Sequence, residues 1–152
     1  MSDTQFRRAG TNDVGDIANL RYSWRVDELG EHGLDAAEFE SQLRGWIERH
    51  RDTHLGYLAT QETVAVGCAW LSIVDRVPGP AKFVRRAGLL QSVFVRPARR
   101  NVGVGSDLVR LIIKEARAMD LDYLSVHPSE RSVTFYQRLG FDNPDRTVEL
   151  RL

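Results

Sequence analysis

Residues 89–119, LLQSVFVRPARRNVGVGSDLVRLIIKEARAM, leave the chain few folds to choose from. A run of strand formers (Leu89, Leu90, Val93, Phe94, Val95) stops at Pro97, a basic turn with Arg99, Arg100, Gly103 and Gly105 follows, and then comes an amphipathic helix. Val104, Leu108, Leu111, Ile112, Ala116 and Met119 fall on one stripe of that helix, while Ser106, Arg110, Lys114 and Arg117 turn mostly away. A strand passing through a glycine-bearing turn into a helix gathers unpaired N–H groups and the positive end of the helix dipole at one point. That is an anion site, and phosphate suits it. Glycine admits an anion to the main chain where no Cβ intervenes, and it tolerates the positive φ that aims amides together. Gly-x-Gly before a helix is also a common tight turn, so the motif alone leaves both readings open. The chain has no GxxxxGK[ST], and GVGSDL lacks the third glycine of a dinucleotide-binding turn.

The flanking segments read as alternating strands and helices. Residues 5–10 make a short strand, and Thr11 and Asp13 start a helix carrying Val14, Ile17, Leu20 and Trp24 until Gly30 and Gly33. Asp35 and Glu38 form a capping pair for a second helix with the stripe Phe39, Leu43, Trp46 and Ile47. Residues 54–60 and 64–74 read as strands, and the second, apolar on both alternating sets, is expected at the centre of the sheet. Residues 75–88, with Pro78, Gly79 and Pro80, are expected to leave the sheet as a loop whose Lys82, Arg85 and Arg86 face a partner or water. Residues 121–126 form a strand joined to 89–95 by the long helix, which marks a right-handed parallel crossover. Ser129 caps a last helix that Gly140 closes with Phe141 packing back, and residues 147–152 alternate like an edge or exchanged strand.

A length of 152 residues predicts one domain over 1–152, with 42% hydrophobic content typical of a globular protein. Equal numbers of basic and acidic residues, 21 each, argue against a general polyanion binder, so neither nucleic acid nor an anionic membrane is expected as a partner. Cys68 is the only cysteine, which excludes an intramolecular disulfide, and it reads as a small buried hydrophobe. No membrane-length apolar run or signal segment is seen, and a cytoplasmic address is expected. His50 and His54 stand four apart across what reads as a helix exit, so no metal site is expected.

Arg100-Asn101-Val102-Gly103-Val104-Gly105 resembles the R/Q-x-x-G-x-G/A signature of the GNAT superfamily of N-acetyltransferases, preceded as there by V-x-V-x-P at Val93, Val95 and Pro97. Tyr136-Gln137-Arg138-Leu139-Gly140-Phe141 is similar to that family's Y-x-x-x-G-F. The resemblance covers residues 89–141 by motif and the earlier part by architecture. It implies a mixed α/β fold of order β-α-α-β-β-β-α-β-α-β, with a parallel strand pair splayed at a cofactor cleft. It also implies acetyl-CoA as acyl donor, with Arg100 and the amides of Asn101, Val102, Gly103, Val104, Gly105 and Ser106 on the pyrophosphate, and the strand Val93, Phe94 and Val95 along the pantetheine arm. Tyr136 takes the place of the family's general acid, and the acceptor implied is a primary amine of a small molecule or peptide.

No base stands out. Gln91 and Ser92 are unsuited, which leaves His127 and the acidic loop residues Asp27, Glu28 and Glu31 as candidates. Those acids suit either a cationic amine or a solvated loop, and Trp24, Phe39 and Trp46 suit either an aromatic-lined pocket or core packing. Only eleven residues follow Phe141, where GNAT chains have two strands, so a homodimer completing the acceptor side is an expectation. A non-catalytic acyl-CoA sensor or partner-binding module is the alternative function.

Overall fold

The computed structural model describes residues 3–142 and 148–152. Its sheet is built from the apolar runs found in sequence: β1 (Thr4–Arg8), β2 (His54–Gln61), β3 (Val64–Arg76), β4 (Arg85–Val95) and β5 (Leu124–Val126), in the spatial order β1-β2-β3-β4-β5. Neighbours are antiparallel except β4 and β5, which are parallel and joined through α3 (Val104–Ala118). Between β1 and β2 run α1 (Val14–Tyr22), a wider π-helical segment at Ser23–Glu28, and α2 (Ala36–His50). The capping pair ahead of α2 forms: the Glu38 N–H donates to Asp35 Oδ1 at 2.9 Å, and the Asp35 N–H to Glu38 Oε2 at 3.2 Å. After β5, Ser129 precedes a 3-10 turn that leads into α4 (Val133–Arg138), and Gly140 ends the helix at φ 95° with the Phe141 N–H donating to the Tyr136 carbonyl at 3.1 Å.

Helices cover both faces, which is why β3 is apolar on both alternating sets. Ile17, Leu20, Leu43, Trp46 and Ile47 pack on Leu58, Cys68, Trp70 and Phe94 on one side. Val104, Leu108, Val109, Ile112 and Tyr136 pack on Tyr57, Ala59, Leu71 and Leu90 on the other. Each fully buried leucine among these contributes about 1.5–3 kcal/mol relative to exposure.

Three expectations are corrected. Residues 75–88 are not a loop: the ladder continues through Asp75↔Arg86 and Arg76↔Arg85, and only residues 77–84 leave the sheet. The basic residues there are half-exposed and bonded within the chain. Asp122 accepts from Arg76 at 2.8 Å, Lys82 at 3.0 Å and Arg85 at 3.3 Å, and Arg86 donates to the Met119 carbonyl at 2.7 Å, so these charges pin the β3–β4 extension to the end of α3. Finally, residues 148–152 form no strand, with Val148, Leu150 and Leu152 more than four-fifths exposed; Thr147 lies outside the described residues. Alternation alone does not make a strand where no ladder is on offer.

Candidate active site

One extra residue on β4 shapes the site. Cys68 lies opposite Phe94 and Trp70 opposite Gln91, so two steps along β3 match three along β4, a β-bulge at Ser92 and Val93. Ser92 takes φ 56°, a strained conformation for a residue with a Cβ, and its Oγ accepts from Arg21 Nη1 at 2.8 Å. β4 pairs with β5 only at Gly88↔Leu124, Leu89↔Ser125 and Leu90↔Val126. Beyond that row the parallel strands part. The Arg96 N–H donates to the Val66 carbonyl of β3 at 2.8 Å, so strand alternation turns the N–H groups of Val95 and Val93 toward the parted side. The Val95 carbonyl accepts from Arg100 Nε at 2.8 Å.

The basic turn then delivers the chain to α3. Asn101 at φ 62° and Gly103 at φ 91° bend it, and at Gly103 a side chain is disfavoured by the backbone itself, because no other atom lies within 4 Å of a Cβ there. The first intrahelical bond runs from the Asp107 N–H to the Gly103 carbonyl at 3.0 Å. The N–H groups of Val104, Gly105 and Ser106 therefore open the helix without intrahelical acceptors. Val104 anchors the turn in the core while Asn101, Val102 and Gly103 are exposed. Arg100 is engaged elsewhere: its Nη2 donates to both carboxylate oxygens of Glu28 at 2.9 and 3.0 Å, with the guanidinium over the Phe94 ring.

Tyr136 reaches this region from α4. Its neighbour Phe135 sits against the first turn of α3, and Tyr136 belongs to the cluster that contains Val104, Val93 and Val95. The ring is edge-on to Phe135 and Phe141, and burial pushes the phenol's pKa up, so it stays protonated.

On the opposite face of the sheet a cavity of about 680 Å³ lies between α1, α2 and the strands. Phe39, Trp46 and Trp70 give it an aromatic wall, Arg21, Arg49 and His54 are its ionisable groups, and Gln91 and Ser92 bound it at the bulge. No acid lines it. Of the two readings open for the loop acids, an amine-attracting wall has no support in this lining: Glu28 is held by Arg100, and Glu31 is hydrogen-bonded to Arg25. Trp24 stacks on Phe94 at 5.6 Å between centroids instead of lining the cavity, and His127 is exposed just after β5. The Cys68 thiol is buried in the core, where desolvation pushes its pKa up to about 12. Among the described residues no group of three or more His, Cys, Asp or Glu side chains could hold a metal ion, and no helix is long and apolar enough to cross a membrane.

Amides at the mouth of α3, a bulged strand parting from its parallel neighbour, and a tyrosine at the start of Y-x-x-x-G-F all lie within residues 18–141, which match the profile of the acetyltransferase (GNAT) family. The chain belongs to that family. Solved structures of the same fold include a predicted acetyltransferase with acetyl-CoA from Clostridium acetobutylicum (TM-score 0.80, 18% identity, covering 98% of this chain and 96% of that one). Another is glucosamine-6-phosphate N-acetyltransferase from Arabidopsis thaliana (0.75, 17%, 98% of each chain). A third is an aminoglycoside N-acetyltransferase in complex with CoA (0.76, 18%, 100% and 96%). At such identities the likeness is one of fold. No curated protein sequence matches the chain.

Two features of this GNAT chain escape a reading of its sequence. Arg21, Arg49 and Ser92 meet at one cavity from α1, α2 and β4, and no local spacing signals that meeting. In sequence His54 reads only as half of a spaced histidine pair. In the fold it lines the cavity, its imidazole held below the ordinary value first by burial and then by His50, with Nδ1 2.9 Å from Thr53 Oγ1.

Proposed function

We propose that this GNAT acetyltransferase transfers the acetyl group of acetyl-CoA to the primary amine of a small molecule or peptide by direct attack. The observation that carries the reading is a junction: the cavity reaches Gln91 and Ser92, the residues immediately beyond Leu90↔Val126, where β4 and β5 part. An acceptor in the cavity and a thioester laid along β4 would meet there. The partner-free amides of Val104, Gly105 and Ser106 fit a diphosphate, and the open edge at Val93, Phe94 and Val95 fits the amides of a pantetheine arm as an added strand. Asn101, Val102 and Gly103 let the phosphates approach, and Arg100 would join them on release from Glu28.

Acetyl-CoA supplies an activated thioester. The neutral amine's lone pair forms the C–N bond, the C–S bond breaks, the nitrogen loses a proton to a base, and the thiolate gains one. The strand N–H of Val93 is suited to the developing oxyanion, and the Tyr136 hydroxyl, kept protonated by burial, to the thiolate. His54 is suited to receive the amine's proton, because an alkylamine with a pKa near ~10 is only about one part in a thousand neutral at pH 7. The reading takes the whole chain as one catalytic domain, working in the cytoplasm as a homodimer; a solution mass measurement giving only monomer would remove the dimer.

Release of free CoA thiol from acetyl-CoA, measured over a broad amine panel, tests the activity. Tyr136→Phe is expected to lower kcat by about 10²–10⁴-fold with CoA affinity unchanged. Indifference to that substitution would favour a non-catalytic acyl-CoA-binding module instead.

A further inference from the structure

Resting on that reading, we propose that the acceptor amine also carries an acidic group, a carboxylate or a phosphate, which Arg21 and Arg49 hold while its carbon skeleton lies against Trp46 and Trp70. Among the described residues nine other arginines sit with a carboxylate, including Arg7 with Asp13, Arg25 with Glu31, Arg44 with Glu40, Arg76 with Asp122, Arg100 with Glu28 and Arg110 with Asp107, and seven do not. Neither do the two that border the cavity. Among the described residues Arg21 makes one side-chain hydrogen bond, to the neutral Ser92 hydroxyl, and Arg49 makes no ion pair.

Arg21 is half-buried, and removing a guanidinium from water without a counter-charge is unfavourable. That cost shows as a pKa lowered chiefly by desolvation and then by Arg25; Glu31, whose charge reaches Arg21, is hydrogen-bonded to Arg25. One donor of the guanidinium goes to Ser92, and the others remain for an anion. Arg49 folds back along α2, its Nη1 lying 3.1 Å from where a Cβ on Gly45 would be. A side chain at position 45 would displace it. His54 adds no lasting charge, since burial and His50 favour its neutral form. Among the described residues the cavity therefore presents two guanidiniums, an aromatic wall and no acid, a combination that repels polycations and suits a zwitterionic acceptor.

Matched acceptors distinguish the outcomes. Phenylalanine is compared with phenylalaninamide, and phosphoethanolamine with ethanolamine, each at saturating acetyl-CoA with thiol release as the readout. The acid-bearing member of at least one pair is expected to lead by about 10- to 100-fold in kcat/KM, and the pair that responds tells carboxylate from phosphate. Arg49→Gln, on an exposed stretch of α2, should raise KM for the acidic acceptor about tenfold, leave KM for acetyl-CoA unchanged and narrow the gap within the pair. Arg21→Lys, which retains the charge without the fork, should narrow it partly. Equal or better turnover of the neutral members, or of a polyamine such as spermidine, overturns the proposal while leaving the transferase reading intact. Silence with these acceptors while other, non-acidic amines of the broad panel are turned over overturns the proposal alone; silence across the whole panel, in a protein that still binds CoA, overturns both.

Discussion

His54 offers the sharpest handle on the chemistry at the scale of one side chain. Its folded-state pKa is depressed, by burial first and by His50 second, so it is neutral at pH 7 and able to accept a proton. Turnover should therefore hold on acidification past the ordinary histidine value and fall only as pH drops through the depressed one. His54→Gln should cost about 10²-fold in kcat and abolish that acidic limb in a pH–rate profile. The same shift sets the sign for stability. Above the ordinary value neither state binds the proton; below it the unfolded chain does so first, so the group's contribution to folding is lost as pH falls. Nothing in the sequence pointed here, because what lowers the pKa is the packing of Trp46 and His50 from α2 around a residue of β2. Tyr136, by contrast, stands out by its motif, and the fold adds the burial that keeps its hydroxyl protonated.

At the level of elements, local signals and the parallel crossover formed as read, while the length and register of the β3–β4 ladder did not follow from the sequence. The Asp35 and Glu38 cap, the stripe of α3 and the Gly140 stop are encoded within a few residues, and each formed as read. The Ser92 bulge is a miscount between two strands and has no local signature. Likewise, Pro78 and Gly79 marked a turn correctly but could not say how far the ladder would run before it, since that depends on Asp122 drawing Arg76, Lys82 and Arg85 together. Gly88 is where elements press closest: a Cβ there would lie 2.5 Å from Leu124 Cδ2 and 2.8 Å from Leu71 Cδ1. Gly88→Ala should push β5 away from β4, cost about 1–3 kcal/mol in urea unfolding, and weaken CoA binding by disturbing the parted pair.

For the molecule as a whole, the proposed donor site is written in one contiguous stretch, while the cavity proposed for the acceptor is lined from α1, α2 and the strands β2, β3 and β4. That is why residues 89–119 carry a motif legible in sequence, while the cavity's charge shows only in the fold. If the diphosphate rests where proposed, CoA binds the native state alone, and at a hundredfold excess over its Kd it should add about 2.7 kcal/mol, raising Tm by about 5–10 °C in a thermal melt. Gly103→Ala, which strains the turn at φ 91°, should reduce that gain more than it lowers the Tm of the free protein.

The indoles divide between the two sites. Trp24 is stacked on Phe94 of β4, and Trp46 and Trp70 form an edge-to-face pair in the cavity wall. The chain thereby carries its own optical reporters, one beside the strand proposed for the donor and two facing the cavity proposed for the acceptor, so that the order in which two such substrates arrive is open to being read from intrinsic emission without attaching any dye.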